Sequence, residues 1–523
     1  MDICFLSAAK RQQRRCGKGS LPRRWGTSYV VWQPHAIPVV PVTEHAAPTG
    51  ARSPIFPAHA DKEQAMNAAK PALTPEQRSF LEALFKDDAA FEEDALRVYA
   101  SDASLRRGPV LAMVCPRTVE QVRELMRWAE VERIPIHPRG RGTSLSGGCV
   151  PTRAGVVVSM LGMDRIFDIS SEDFVAVIEP GVNTLAFQQA CEQKGLFYPP
   201  DPASGKATSV GGNVMTCAGG LRAVKYGVTR DYVLGMEVVL PGGKLLKLGG
   251  RAHKDVIGLD ISRMFVGSEG TLGIVTKLYL KLLPKPESSA SVLVGYPSLD
   301  AALSSMSKVF AAGILPCAVE FMNETVLEIL SRTGDVPWPD TVKSLLLFQV
   351  DGSRETVPLE NARLAAQLDD ALWSMQGVGK EEEDRLWAFR RRVSSSSYVL
   401  GPDRIGGDMA VPRGSLLKAV RRFEAIAASH GKRLIGFGHA GDGNIHANLH
   451  YDASDPDDAR RTAAAHHALD DAALEFGGSL SGEHGGGCLK DVGKQLGADE
   501  LEAMRAVRRL FDPQGILNPG KGY

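Results

Sequence analysis

The chain has 523 residues, of which 44% are hydrophobic and 23% charged, the mix of an ordinary globular protein of about two to four domains. This excludes a disordered, collagen-like or disulfide-scaffold chain. Lys+Arg and Asp+Glu both count 61, which argues against a nucleic-acid partner bound by phosphate neutralisation. Eight scattered cysteines without a C-x-x-C pair, and no run of 18 apolar residues, argue against an internal iron–sulfur cluster and a transmembrane helix.

In chain order, residues 1–65 hold nine Lys/Arg against four acids and a series of prolines from Pro34 to Pro57, leaving 52 basic and 57 acidic residues in the rest. They read as a disordered leader, with Met66 as the natural start. A mitochondrial transit peptide is the alternative; otherwise the location expected is cytoplasmic, peripheral to a membrane only through a partner. Thr74, Pro75 and Gln77 predict a capped helix start, and Thr118 with Gln121 a second capping box. The second opens a helix with Val122, Leu125, Met126 and Ala129 on one face. Strands are predicted at Ile134–His137, Val156–Met160, Phe174–Glu179 and Ile274–Leu283, the last stopped by Pro284. A helix is expected from Thr184 to Lys194, and a hairpin around Pro241-Gly242-Gly243. Beyond Pro284–Pro286 strands and helices alternate. Strands are expected at Ser291–Tyr296, Ala318–Phe321, Leu345–Val350 and Asp408–Val411. Helices are expected at Leu299–Ala312, Glu324–Ser331, Thr356–Met375 and Leu416–Ser429. The pattern predicts an α/β sandwich with helices on one face of a sheet. We therefore expect an α+β chain divided into 66–284 and 285–523.

Three segments are dense in Gly, Ser and Thr: Pro138–Gly148, Ser209–Gly220 and Gly267–Gly273. Such loops let backbone N–H groups approach a phosphate without obstruction. None fits the Walker or the G-x-G-x-x-G arrangement. Taken singly, each is explained by turn chemistry. Spread over one region, they suit a long dinucleotide lying across several turns.

Arg139-Gly-Arg-Gly-Thr-Ser-Leu-Ser-Gly-Gly148 resembles the pyrophosphate loop of the FAD-linked 2-hydroxy acid dehydrogenases. That family includes glycolate oxidase catalytic subunits, D-lactate dehydrogenase and D-2-hydroxyglutarate dehydrogenase. Gly211-Gly-Asn213, Ala218–Arg222, Tyr226–Asp231 and Gly267–Val275 resemble its further flavin blocks in the same order. The resemblance runs from about Pro116 to the C-terminus. It implies the vanillyl-alcohol-oxidase (PCMH-type) FAD-binding fold with an α/β ferredoxin-like cap. It also implies a C-terminal tail, Phe511–Lys521, that returns to the flavin domain. The FAD contacts it implies are Arg139, Gly140, Gly142, Thr143, Ser144, Gly147 and Gly148 in the first loop. Pro200, Asp201, Ser209, Gly211, Gly212, Asn213, Gly219 and Gly220 follow in the second. Glu269, Gly273, Ile274, Val275 and Asn518 complete the set. With no His in the first loop, the FAD is expected to be non-covalent.

Seven of the twelve histidines lie between His430 and His484. His439-Ala-Gly-Asp-Gly-Asn-Ile-His446 sets two imidazoles across a turn, and the flanks Leu434–Phe437 and Ile445–Tyr451 read as a hairpin. Glu483-His484 follows on a glycine-rich loop. Two His and one carboxylate with open positions suit a catalytic metal, and Zn, Mn and Fe all accept these ligands. His450 shares the face of His446 and is a candidate supporting residue. His466 and His467 read as packed or solvated residues on a helix Asp457–Phe476. The resemblance implies His439, His446 and Glu483 as ligands and His484 as the base. It often has Ile at the position of Gly486, so Gly there is expected to loosen the loop. Arg390, in the pattern L-W-x-x-R, is either a solvated helix residue beside Glu381–Asp384 or, by resemblance, the clamp for a substrate carboxylate.

The activity implied is FAD-dependent oxidation of a D-2-hydroxy acid, D-lactate or glycolate, to the 2-oxo acid. Hydride passes to flavin N5, with a metal and a His base. Gly406-Gly407 stands where D-2-hydroxyglutarate enzymes place a Lys, which weighs against that alternative. The electron acceptor expected is a quinone, a cytochrome or an iron–sulfur subunit, and a homodimer is a further expectation. Rival readings are a flavin-binding subunit that needs a partner, a metal-dependent hydrolase, and a flavin enzyme acting on an ether-lipid precursor.

Overall fold

The computed structural model describes residues 72–523; the reading of the leader lies outside them. The helix Pro75–Phe85 begins as its cap predicts. The Thr74 hydroxyl accepts from Gln77 N, and Gln77 Oε1 accepts from Thr74 N. At Thr118 the box closes on one side only. Its hydroxyl accepts from Gln121 N, but Gln121 Oε1 accepts from Arg117 N, one residue earlier, and Gln121 Nε2 donates to Leu84 O. The Gln side chain thus ties two helices together. Val122, Leu125, Met126 and Ala129 are all buried, as their spacing predicts.

The first part of the chain forms a four-stranded and a five-stranded sheet. In the four-stranded sheet, Gly155–Ser159 pairs in parallel with Val110–Val114 and with Ile136–Arg139. The last of these starts two residues later than expected and contains Pro138, which an edge strand tolerates. The tail covers this edge: Ile136 N donates to Ile516 O and Asn518 N to Ile136 O. The five-stranded sheet is antiparallel and carries the predicted hairpin, Val233–Val239 with Leu245–Gly249. The expected strand Ile274–Leu283 is two pieces. Ile274–Lys281 belongs to the sheet, while Leu283–Pro284 pairs separately with Leu196–Phe197.

The later part forms a seven-stranded antiparallel sheet. Its spatial order is Trp373–Val378, Ser288–Tyr296, Ser344–Gly352, Ala318–Met322, Ile435–His439, Asn444–Tyr451 and Asp403–Ala410. Two expectations are corrected here. The helix expected over Thr356–Met375 ends at Ala365, and Trp373–Val378 is an edge strand. Pairing with Ser288–Tyr296 and the contact of Trp373 with Trp338 outweigh local helix preference. Helices also cover both faces, not one. Val292, Val294 and Phe348 pack against the helices Leu299–Ala311, Leu416–Ser429 and Pro456–Glu475. Leu293, Leu345 and Leu347 pack oppositely, against Glu324–Thr333 and Lys380–Ser396. Strands buried on both faces lose the alternation that marks a one-sided sheet.

Among the described residues no helix is long and apolar enough to cross a membrane.

Candidate active site

The site lies on the sheet face that also carries Leu293 and Leu347, across four neighbouring strands. Register places a carboxylate beside each of the two strand imidazoles: Glu320 is paired with His439, and Asp408 with His446. The turn at 440–443 brings both rings to one side, their centroids 5.2 Å apart. His484 arrives on the loop that follows Ser481, which bridges to Asp408 along the sheet edge. Its ring stacks 5.7 Å from His446.

Three imidazoles surround one carboxylate oxygen. The Nε2 atoms of His439, His446 and His484 lie 3.5, 3.6 and 3.6 Å from Glu483 Oε1. These separations are too long for hydrogen bonds. Those of His439 and His446 match the separation of two ligands on one ion, about 3.4 Å for bonds of about 2.1 Å, which leaves positions open on the side of His484. The donor set therefore fits a divalent cation. Behind it, His439 Nδ1 meets Glu320 Oε1 at 2.5 Å, and His484 Nδ1 lies 3.5 Å from Asp408 Oδ2. Carboxylates behind ligating imidazoles set ring orientation and basicity.

Electrostatics follow from this packing. Burial pushes the His439 imidazole down, but Glu320 and Glu483 on either side outweigh it and hold it well above the usual range. His446 is pushed down to about 3, by burial first and then by the His439 charge. Burial raises the Glu483 carboxyl, and the surrounding imidazoles more than reverse this, leaving it well below the usual carboxylate range. For His484, burial lowers and Asp408 raises, and the net direction is upward.

Arg390 is not a solvated helix residue. It sits in the interior of the helix Lys380–Ser396, its Nε donates to Glu320 Oε2 at 2.6 Å, and its guanidinium lies 4.5 Å from the Phe437 ring. Glu320 thus joins Arg390 to His439. Sequence reasoning missed this residue. Its one signal was a lone charge inside the apolar strand Ala318–Met322, where an unpaired carboxylate is not tolerated. Asp408 was noted only as a landmark; its Oδ2 accepts from Glu483 N, His484 N and the Ser481 hydroxyl. His450 is no supporting residue of this cluster: its ring nitrogens bond to Gly401 O and the Ser397 hydroxyl. His466 sits on its helix 3.6 Å from Asp470.

A second cleft lies between the two sheets of the first part. Of the candidate flavin residues, Arg139, Gly140, Ser144, Gly148, Ser209, Gly211, Gly212, Glu269, Gly273, Ile274 and Val275 line it. Its walls are bare backbone where a dinucleotide must lie close. A Cβ at Gly140 would come within 2.6 Å of the Ser209 hydroxyl. Gly219 and Gly220 instead line a separate cavity together with His439 and Glu483. Arg139 and the candidates outside the cleft lining have further contacts. The Arg139 guanidinium donates to Ser101 O and Val98 O, and the Asn213 side chain turns inward to Thr208 and Thr184. Thr143 reaches Thr208, Gly147 O accepts from Lys521, and Gly142 turns at φ 69°. Pro200 is buried, and Asp201 lies 3.6 Å from Arg222. Asn518 donates to Gly148 O and Glu269 O.

The loop after His484 is held rather than loose. Gly487 N donates to Glu269, the Ser146 hydroxyl to His484 O, and Gly522 N to Gly487 O. Gly485 and Gly487 need their positive φ, 79° and 55°. Gly486 does not: a Cβ there would make ordinary contact with Val492 at 3.4 Å. Gly486→Ala is therefore expected to raise stability by about 0.4–1 kcal/mol by restricting the unfolded chain. A denaturation midpoint that fails to rise at constant m-value would count against this.

The fold and the cleft together define a flavoprotein oxidoreductase. Residues 110–249 match the FAD binding domain, and residues 285–522 match FAD linked oxidases, C-terminal domain. The chain is 40% identical over 416 residues to glycolate oxidase subunit GlcD of Bacillus subtilis (strain 168), covering 79% of this chain and 88% of that one. It is 32% identical over 463 residues to D-2-hydroxyglutarate dehydrogenase of Stutzerimonas stutzeri (strain A1501), covering 86% and 98%. The chain belongs to the FAD-linked 2-hydroxy acid dehydrogenase family. Its fold is also that of p-cresol methylhydroxylase with substrate bound. The TM-score is 0.72 at 19% identity, covering 86% of this chain and 97% of that one.

Proposed function

We propose that the chain oxidises a D-2-hydroxy acid, D-lactate or glycolate, to the 2-oxo acid. The observation that carries this is the convergence of three imidazoles on Glu483 Oε1 beside a cavity walled by Gly219 and Gly220. FAD, held along Gly140, Gly148, Ser209 and Gly212, supplies the acceptor for two electrons and the α-hydrogen. A divalent cation on His439, His446 and Glu483 supplies Lewis acidity toward the substrate hydroxyl. Arg390 binds the substrate carboxylate, and Glu320 holds its guanidinium in place. His484 takes the hydroxyl proton at Nε2, while Asp408, beside Nδ1, orients the ring and stabilises its protonated form. Kinship to a protein described as a subunit supports delivery of the electrons to a partner, such as an iron–sulfur subunit, a cytochrome or a quinone. Residues 66–284 then act as the flavin-holding part and 285–523 as the substrate-holding part.

The test is an anaerobic visible spectrum of the flavin-loaded chain with D-lactate, glycolate and D-2-hydroxyglutarate in turn. Bleaching by D-lactate or glycolate is the expected result. A flavin band that none of the three bleaches would remove the proposal.

A further inference from the structure

We propose that Glu269 is a positioning residue that fastens the loop carrying His484 to the flavin cleft, so that filling the cleft sets the base in place. This rests on the reading of His484 as the base. Glu269 lines the cleft, and both its carboxylate oxygens accept from Gly487 N, at 3.0 and 2.9 Å. The glycine run wraps this carboxylate closely. A Cβ at Gly485 would lie 2.2 Å from Glu269 Oε1, and one at Gly487 would lie 2.0 Å from Ser146 O.

Ser146 adds a second fastening from the same cleft. Its hydroxyl donates to the carbonyl of His484 itself at 2.9 Å, and Cys488 N donates to Ser146 O at 3.0 Å. Ser144 and Gly148, on either side of Ser146, are cleft-lining residues. Glu269 is held in turn, since its carbonyl accepts from Asn518 of the tail.

Besides the tail contact from Gly522 N to Gly487 O, the loop has two anchors of different origin. One is Asp408 on the seven-stranded sheet, which accepts from Glu483 N and His484 N at 3.0 and 2.8 Å. The other consists of Glu269, which lines the cleft, and Ser146, which lies between the lining residues Ser144 and Gly148. Without the Glu269 and Ser146 anchor, the imidazole retains its partner Asp408, but the chain beyond it is left with the single tail contact from Gly522 N. A partly buried carboxylate that loses its donors is costly, so Glu269 and Gly487 move together. Occupancy of the cleft then bears directly on the position of His484, although no His484 atom needs to touch the cofactor.

The experiment is amide hydrogen exchange at Gly485–Cys488 in the full chain, flavin-stripped and flavin-loaded, for wild type, Glu269→Gln and Glu269→Ala. In wild type, loading with FAD is expected to slow these amides by about tenfold or more. In Glu269→Ala, loaded protein is expected to keep its flavin absorbance while these amides exchange fast. Its kcat should fall more than its KM rises. Glu269→Gln keeps one acceptor and should restore part of both the protection and kcat. Equal exchange in loaded and stripped wild type would overturn the proposal. So would a Glu269→Ala protein that loses flavin while the loop stays protected, which would make Glu269 a cofactor contact only. The exchange measurement needs no turnover. A flavin that no 2-hydroxy acid bleaches would therefore defeat the functional reading without touching this readout.

Discussion

Replacing His484 by alanine is expected to lower turnover by about 10² to 10⁴ while FAD stays bound. In the proposed mechanism the imidazole takes the hydroxyl proton, and it is not among the residues that line the flavin cleft. Its Nε2 points to the convergence of donors, 3.6 Å from Glu483 Oε1, and its Nδ1 faces Asp408 at 3.5 Å. Steady-state turnover and the flavin absorbance of the same sample check both halves of the statement. The pH dependence carries the same signature. Burial disfavours the His484 cation, but the Asp408 charge favours it more, so the group stays protonated to a higher pH than a free imidazole. A protonated imidazole cannot accept the hydroxyl proton. kcat/KM should therefore fall as pH is lowered through the titration of this group. That limb should vanish in His484→Ala. A variant that turns over close to wild type would remove the role.

Stripping the protein with a chelator is expected to abolish turnover and leave the flavin absorption unchanged, and adding back a divalent ion should restore activity. The physical ground is the donor set: the Nε2 atoms of His439 and His446 lie 3.5 and 3.6 Å from Glu483 Oε1. Glu320 and Asp408, both buried, stand behind these imidazoles. Glu320→Gln should weaken metal affinity by about 10- to 100-fold. Its carboxylate holds the His439 ring and the Arg390 guanidinium at once, at 2.5 and 2.6 Å. Metal content after dialysis reads the first effect, and KM for the substrate carboxylate reads the second. Full activity in a verified metal-free sample would sink the assignment of the cation.

The parts legible in the sequence share one property: they are local. Thr74, Pro75 and Gln77 announce a helix start within four residues, and the structure has it there. Pro241-Gly242-Gly243 marks a hairpin because few other residues allow that turn. His439 and His446 flank a turn rich in Gly and Asp, so their proximity follows from chain reversal alone. The glycine-rich loops were legible for the same reason, as backbone that must lie open. Where reading failed, tertiary pairing won. Trp373–Met375 reads as the end of a helix and instead begins the strand Trp373–Val378, because Ser288–Tyr296 offers it an edge. Pro284, read as a stop, instead pairs as part of a short ladder with Leu196–Phe197.

By itself, then, the sequence determined the kind of chemistry available: a long glycine-lined cofactor cleft, paired imidazoles and a Glu-His loop. Only the tertiary structure decided which groups support them. Glu320 reaches His439 across 119 residues and Arg390 across 70, and Asp408 holds the amide of His484 across 76. Such contacts depend on strand register and on burying both faces of one sheet, which no local spacing encodes. A carboxylate enters that interior only where the fold supplies its partners, and those partners exist only once the strands have paired.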